Sequence, residues 1–414
     1  MASHPSVLFA TTRNLQLPVD FKLLEHLPPN PLVFIRDGEG LVGYGVAAAL
    51  TATGENRMRD LAEQWRALCE TAVQEDPTPG TGRGLLAFGS VAFSANSATE
   101  SRLIVPELIF GVRDGRAWLT RVSTDAASAA PALDESWVTP AAGGAAIELH
   151  PGEFGPAAFK TAVSRAVGTI HGGVLKKVVL ARDLVGDAPA DLDLRTVLAR
   201  LATLYPSCWT YSVGEIFGAS PELLVRVTHG QVSARVLAGT AGRGTDPGID
   251  RAISAALVAS AKNTEEHGYA LQSLLATLEP FCQELDADPS PFAIALPNVW
   301  HLASDVHGVL SGEASVLDLA QALHPTAAVA GTPTKAAENL LAELEPFDRE
   351  TYSGPVGWIG ANGDGEWAIA LRGATLREGK ITAYAGCGIV ADSDPEAELA
   401  ETELKFAPIR QALG

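Results

Sequence analysis

The chain has 414 residues, 47% of them hydrophobic and 19% charged, a composition typical of a folded protein with a sizeable core. Its formal net charge of −19 argues against a surface that binds nucleic acid or an anionic membrane. An anionic small substrate would need a local cationic pocket inside this acidic shell.

The N-terminus and the cysteines favour a reducing, cytoplasmic setting. MASHPSVLFATTRNL lacks the basic and apolar regions of a secretory signal, and the apolar stretch 41–54 is too short to span a bilayer. The four cysteines form no CxxC pair, so we expect neither a disulfide scaffold nor a zinc–thiolate site. We therefore expect a cytoplasmic protein without a membrane segment.

The first part of the chain is predicted to consist mainly of strands. Strand-like runs cover 40–50, 84–95 and 102–122, and the last contains RDGR, an Asp-Gly hairpin signal. A helix around 56–73 separates the first two runs. The segment 124–146 is rich in Ala, Pro, Gly and Ser, which indicates a connection or long loop.

The second part alternates helices with strands. Hairpins with intervening helices predict an α+β protein built on large antiparallel sheets. In chain order the predicted elements are a helix over 154–173, a strand at 176–184, a helix near 192–204, a strand at 208–217, a hairpin over 221–240, a helical stretch over 248–279, a hairpin over 365–390 that turns at Glu378-Gly379, and a last helix capped by Asp394.

The strand KKVVLARDL begins with two lysines although both of its faces are apolar. Strand alternation puts Lys177 on the face of Val179 and Ala181, so the strand is expected to be covered on both sides. The lysines then either mark a solvated strand entry, with their stems along apolar surface, or Lys177 lies in a cleft. A lysine in such a cleft can lose its proton near neutral pH and act as a base.

Carboxylates near apolar surfaces allow two interpretations as well. In the last helix, Glu398, Glu401 and Lys405 share one face beside an apolar stripe, and Glu266 lies one turn from Lys262. These acids either form surface ion pairs or hold a hard divalent cation such as Mg²⁺ through oxygen.

A further carboxylate and two glycine-rich segments stand near predicted turns. Glu222 follows Ser-Pro, where a turn opens into a strand, so it is either a solvated turn acid or a partly desolvated acid with a raised pKa. The segments 236–244 and 385–390 are predicted as turns; they lack Walker or dinucleotide spacing, but their N–H groups could cradle carboxylates.

Eight segments follow one another along the chain in this order: KVVLARDL, GASPELLVRV, LAGTAGRG, EEHGYAL, HPTAAVAGTP, IALRGATL, YAGCGIV and AETELKF. Together they resemble the chorismate-utilising enzymes, and within them the isochorismate synthases. The resemblance implies an α/β sandwich of two antiparallel sheets flanked by helices, with the site between them. It covers 155–410 densely, as a catalytic chorismate-binding region, and 1–123 weakly, as a divergent N-terminal half. It implies one large domain over 1–414.

The resemblance also implies roles for individual residues. Lys177 matches the base that activates water, and Glu222 the acid that protonates the departing hydroxyl. Mg²⁺ is the implied cofactor, with Glu266 and Glu401 as ligands and Glu398 as an outer-shell candidate. The residues that match substrate-binding positions are Gly239, Thr240, Ala328, Arg372, Gly386 and Lys405.

The implied reaction explains the need for both groups. Forming isochorismate adds water at C2 of chorismate and removes hydroxide from C4. Water is a poor nucleophile and hydroxide a poor leaving group, so a base and an acid are required. Mg²⁺, Arg372 and Lys405 would supply the cationic pocket.

Related activities remain as alternatives. Anthranilate and aminodeoxychorismate synthases use ammonia, but Ala238 stands where the latter carry a nucleophilic lysine, and Lys177 favours water. Salicylate synthases form isochorismate and then eliminate pyruvate; Ala241, where they tend to carry arginine, favours stopping at isochorismate. A non-catalytic binding protein would be expected to lack Lys177, Glu222 or the metal glutamates. We expect a monomer that needs no amidotransferase subunit.

Overall fold

The computed structural model describes residues 7–18, 21–126, 137–140, 146–295, 299–312 and 314–414, except for the side chains of Thr240, Lys262, Glu266 and Val299. The strands are Phe9–Leu15 (β1), Leu32–Arg36 (β2), Glu39–Tyr44 (β3), Ala48–Ala52 (β4), Val73–Glu75 (β5), Leu86–Ser90 (β6), Ser101–Val105 (β7), Leu108–Arg113 (β8), Arg116–Ser123 (β9), His150–Pro151 (β10), Lys177–Asp187 (β11) and Trp209–Val213 (β12). They continue with Ile216–Ser220 (β13), Leu223–Thr228 (β14), Gln231–Gly242 (β15), Cys282–Ala287 (β16), Phe292–Ala295 (β17), Val299–Leu310 (β18), Gly331–Thr332 (β19), Pro355–Gly360 (β20), Gly365–Ile369 (β21), Gly373–Arg377 (β22) and Lys380–Ile389 (β23).

The helices lie between and beside these strands. They are Arg57–Thr71 (α1), Pro156–His171 (α2), Leu194–Leu204 (α3), Pro247–Ala259 (α4), Ala261–Leu278 (α5), Val316–Leu323 (α6), Thr334–Leu344 (α7) and Pro395–Leu413 (α8), with short 3₁₀ turns at Leu23–His26 and Glu279–Phe281. None of the helices in the described ranges is long and apolar enough to cross a bilayer. All four cysteine thiols are free.

The strands form two sheets whose neighbours are antiparallel except for β1 and β5. The larger sheet has the order β10-β11-β23-β22-β13-β12-β2-β3-β8-β9-β1-β5, with β19 beside β11. The smaller sheet has the order β16-β18-β15-β14-β21-β20-β6-β7-β4, with β17 beside β18. Large antiparallel sheets flanked by helices were expected from the sequence, and the structure confirms this fold class.

Strand alternation divides the interior into two cores. Leu32 and Phe34 of β2 pack in a core shared with the smaller sheet and with α1, α2, α6 and α7. Val33 and Ile35 of the same strand pack in a second core, together with α3 and α8. The larger sheet is therefore covered on both faces, which explains why its strands read as continuous apolar runs.

Four short links carry the chain from one sheet to the other. The links 45–47 and 106–107 are the N-terminal crossings, and the links 221–222 and 370–372 are the C-terminal crossings. Each half of the chain thus repeats the same path, and the halves join where β12 pairs with β2 and β20 pairs with β6.

Local signals in the sequence predicted many elements well. The RDGR turn joins β8 to β9, with Asp114 and Gly115 both at positive φ. Asp394 caps α8 by accepting hydrogen bonds from the backbone N–H groups of Glu396 and Ala397. The predicted connection 124–146 lies largely outside the described residues.

Two predicted elements contain a local break that was not predicted. The strand predicted at 208–217 is two strands, β12 and β13, since Gly214 has φ 66° and reverses the chain. The helical stretch 248–279 is two helices, because the Ser260 hydroxyl accepts a hydrogen bond from the Asn263 N–H and starts α5.

Two other predictions failed because sheet pairing is not local. Of the hairpin predicted over 365–390, the turn at Glu378-Gly379 is confirmed, because β22 and β23 pair on either side of it. The segment before this pair is β21, which belongs to the smaller sheet. The glycine-rich segments are not turns but parts of β15 and β23. In β15, Gly239 has φ 90° and lies where the pairing with β18 shifts register, as in a β-bulge.

Candidate active site

A cavity of about 460 Å³ lies where the two C-terminal crossings meet the larger sheet and α8. It brings together predicted residues from distant parts of the sequence, namely Lys177, Glu222, Gly239, Ala328, Arg372, Gly386, Glu401 and Lys405. These residues come from strands, from both crossings, from the loop before β19 and from α8. The cavity therefore depends on the global fold.

The two lysines at the start of β11 lie in different surroundings. Lys177 is half-buried and lines the cavity with Val179, while Lys176 is exposed and lies 5.6 Å from the centre of the Tyr269 ring. Strand alternation explains the difference, because neighbouring side chains point to opposite faces. Lys177 therefore faces the cavity, and Lys176 does not line it.

The first C-terminal crossing places the Glu222 carboxyl in the cavity. The two crossings are tied together, since the Ile369 N–H donates to the Glu222 carbonyl at 3.0 Å and the Ser220 hydroxyl donates to the Ile369 carbonyl at 2.6 Å. Burial raises the pKa of the Glu222 carboxyl, and the positive charges of Lys177, Lys405 and Arg372 oppose this. The net shift favours the protonated form, which is the form that an acid catalyst needs.

The second C-terminal crossing presents Arg372. Its φ of 51° is in the left-handed region, an unfavourable conformation for a residue with a side chain, and such strain clusters at functional sites. The Tyr211 hydroxyl donates to the carbonyl of Leu371 at 3.0 Å, which fixes this turn. Burial lowers the pKa of the Arg372 guanidinium, but an arginine stays charged at neutral pH.

Helix α8 adds a second cation on the cavity wall. Lys405 Nζ lies 2.7 Å from a carboxylate oxygen of Glu401 and donates to the Gly386 carbonyl at 2.8 Å. The i,i+4 pair considered from the sequence is thus present, but it faces the cavity and also connects the helix to β23. The Glu401 side chain is nevertheless 48% exposed, so the pair lies at the mouth of the cavity.

The predicted metal ligands are only partly within the described side chains. Glu401 lines the cavity; Glu398 lies one turn earlier, accepts a hydrogen bond from the Ser393 hydroxyl at 2.6 Å, and has a pKa raised chiefly by burial. The side chain of Glu266 lies outside the described set, as does that of the predicted substrate residue Thr240.

The described acids fit a hard divalent cation. Both Glu398 and Glu401 offer carboxylate oxygens on one helix face, and a bound cation would offset the cost of placing a charge on the half-buried Glu398. Among the described side chains, no group of three or more His, Cys, Asp or Glu could hold a metal ion. A magnesium ion does not require three such side chains, because it commonly binds through one or two carboxylates together with water and substrate oxygens.

Several cavity residues were missed in the sequence. Burial, followed by the charges of Lys405 and Arg372, lowers the pKa of His301 to about 4, so the imidazole is neutral. Tyr352 and Tyr384 also line the cavity and stack with ring centres 5.0 Å apart. The sequence signal for His301 was a histidine inside the apolar strand VWHLAS. The sequence carries no such signal for Tyr352 and Tyr384, because only the fold brings them together.

A buried ion pair supports the wall that carries Lys177. Arg349 donates to the carbonyls of Val179 at 2.6 Å and Val329 at 2.8 Å, and Glu345 accepts from the Ala181 N–H at 2.7 Å. This pair occupies the edge of β11 between its short neighbours β10 and β19. It fixes β11 against the loop that contains Ala328.

The cavity is suited to a small anion, because three basic side chains, a carboxyl group with a raised pKa and the carboxylate of Glu401 converge there. The sequence profile described as chorismate binding enzyme matches residues 23–414, and the chain belongs to that family.

Individual relatives agree with this assignment. A putative isochorismate synthase of Mycobacterium tuberculosis H37Rv is 43% identical over 275 residues, which are 63% of this chain and 74% of that protein. An isochorismate synthase of Bacillus subtilis is 38% identical over 271 residues, 63% of this chain and 68% of that protein. The crystal structure of a putative 2,3-dihydroxybenzoate-specific isochorismate synthase from Bacillus anthracis has a TM-score of 0.77 at 30% identity, covering 95% of this chain and 99% of that one.

Proposed function

We propose that this protein is an isochorismate synthase, which adds water to C2 of chorismate while hydroxide departs from C4. The observation that carries the proposal is that Lys177 and Glu222 line one cavity together with Arg372 and Lys405. Chorismate has two carboxylates and a departing hydroxyl, so it needs this combination of cations, base and acid. The relatives described as isochorismate synthases support the same activity.

The base and the acid have separate tasks. Lys177 takes a proton from water as the oxygen bonds to C2, and the electron pairs of the conjugated diene shift toward C4. Glu222 gives its proton to the hydroxyl as the C4–O bond breaks, so that water leaves. The product is an isomer of the substrate, and solvent exchange returns the proton from the lysine to the carboxylate.

The remaining residues hold the substrate. Arg372 and Lys405 pair with its carboxylates, and backbone groups at Gly239 and Gly386 approach it closely because neither residue has a side chain. Glu401 and Glu266 would hold Mg²⁺, with Glu398 as an outer-shell candidate, and the ion would neutralise a substrate carboxylate when it is bound.

Product analysis tests the proposal. Purified protein is incubated with chorismate and Mg²⁺ in H₂¹⁸O, with and without ammonium, and the products are separated by chromatography and mass spectrometry. We expect isochorismate labelled at the new hydroxyl, without salicylate, pyruvate or aminated products. Accumulation of salicylate with pyruvate would move the protein to the salicylate synthases, and efficient amination would overturn water as the nucleophile.

Chelation tests the metal. We expect that excess EDTA abolishes turnover and that Mg²⁺ restores it, because the candidate ligands are carboxylates. Undiminished turnover in excess EDTA would contradict the assignment of Glu266, Glu398 and Glu401.

A further inference from the structure

The side chain of Lys177 lies directly over a glycine of the neighbouring strand. Gly388 of β23 pairs with Val179 of β11, two residues beyond the lysine. A Cβ atom added to Gly388 would lie 2.7 Å from Lys177 Cε and 3.4 Å from Nζ. The first distance is far inside van der Waals contact, so the lysine stem occupies the space that a side chain would fill.

Nothing in the backbone requires a glycine there. Gly388 does not have a positive φ, so an alanine meets no conformational penalty at this position, and alanine loses less entropy than glycine on folding. Gly386, two residues earlier, differs, because a Cβ there would lie 2.9 Å from the backbone carbonyl oxygen of Leu180. At Gly388 the conflict is with the flexible end of one side chain.

We propose that Gly388 is a positioning residue for the reaction, which sets the place of the Lys177 amine by leaving a groove in β23 for the lysine stem. The inference rests on the proposed role of Lys177 as the base. It predicts that a single methyl group at position 388 displaces the amine while the sheet stays intact. A misplacement of about 1 Å in a catalytic group can cost about 10²-fold in rate.

The first measurement compares Gly388→Ala with the parent. We expect kcat to fall by roughly 10–100-fold and KM to change less than about twofold, since Arg372 and Lys405 are untouched. Gly168→Ala in α2 is the matched control, because a Cβ there meets no atom within 4 Å, and it should keep parental kcat. A Gly388→Ala variant with parental kcat overturns the proposal.

The second measurement repeats the substitution without the lysine. If Gly388 acts through Lys177, adding Gly388→Ala to Lys177→Ala should lower the residual rate no further. An equal additional loss in both backgrounds overturns the proposal, because the methyl group then disturbs something else. If Lys177→Ala alone keeps parental activity, the proposed function of the lysine has failed, which is a distinct result.

Folding is followed by circular dichroism and thermal melting. If Gly388→Ala unfolds while Lys177→Ala/Gly388→Ala folds, the conflict between the methyl group and the lysine stem is demonstrated and the proposal stands. If both unfold, the glycine is needed for packing of the strand, and the proposal is overturned.

Discussion

The N-terminal and C-terminal crossings follow the same path between the two sheets but carry different chemistry. In the N-terminal half the crossings are tied together by a hydrogen bond from the Glu107 N–H to the Tyr44 carbonyl, at 3.0 Å. In the C-terminal half the bond from Ile369 to Glu222 does the same at 3.0 Å. The backbone of both regions is therefore similarly fastened, and the difference lies elsewhere.

The difference is what covers each pair of crossings. Helix α8 and the loop before β19 enclose the C-terminal crossings, so Glu222 and Arg372 are partly shielded from water and their pKa values shift. In the N-terminal half Val46 stays 58% exposed and the Glu107 carboxylate faces solvent. A charged side chain on a crossing becomes chemically useful only where other elements desolvate it.

The largest expected effect of a substitution is at Lys177. Lys177→Ala should lower kcat/KM by roughly 10²–10⁴, the usual worth of a general base, while chorismate binding persists. Lys176→Ala, on the opposite face, should stay within a few-fold, as surface changes do. Steady-state kinetics measure this effect, and melting curves show whether each variant is folded. Near-parental activity of Lys177→Ala would show that Lys177 is only a charged residue at the start of the strand, without a role as a base.

Glu222→Gln should separate activity from stability. Because the neutral amide cannot give up a proton, kcat should fall by roughly 10²-fold or more. Folding raises the pKa of this carboxyl, so the folded state binds more protons than the unfolded state. The parent therefore loses stability as the pH rises from the unfolded pKa of about 4.3 through the higher folded value.

The same variant can thus be tested by melting at two pH values. The melting temperature of Glu222→Gln should be higher than that of the parent at about pH 8. At about pH 4 it should differ little, because the folded parent then has a neutral carboxyl group and the variant a neutral amide. If the melting temperature of the variant is lower than that of the parent by the same amount at both pH values, ionisation of the Glu222 carboxyl does not destabilise the folded state.

Arg372→Lys should have a smaller, binding-type effect. The charge remains, but a planar fork that can pair with a carboxylate through two N–H groups is replaced by a point charge. We expect KM for chorismate to rise by roughly tenfold with kcat changed less. A loss confined to kcat would place this arginine in the chemical step instead.

The smallest expected effect is at the N-terminal crossing. Glu107→Gln removes a charge from an exposed side chain at the place that corresponds to the second C-terminal crossing. Activity should stay within about twofold and stability within about 0.5 kcal/mol, as for other surface positions. A large loss of turnover would show that the two halves are functionally coupled.

The sequence predicted local relations between side chains better than it predicted the sheets. Strand alternation put Lys177 on the face of Val179, which lines the cavity, and one helical turn put Glu401 beside Lys405, because both relations are local. It could not show that β21 and β22 belong to different sheets, since pairing partners are distant in sequence. The same limit hid His301, whose neutral state depends on burial by elements far along the chain.

The pairing of β12 with β2 and of β20 with β6 constrains how this chain can be trimmed. A fragment such as 155–410 would keep Lys177, Glu222 and Arg372, yet it would leave β12 and β20 as uncovered strand edges. Open edges recruit other strands, so we expect that fragment to self-associate or precipitate. The N-terminal half thus protects the half that contains the candidate active site from association through these two strand edges.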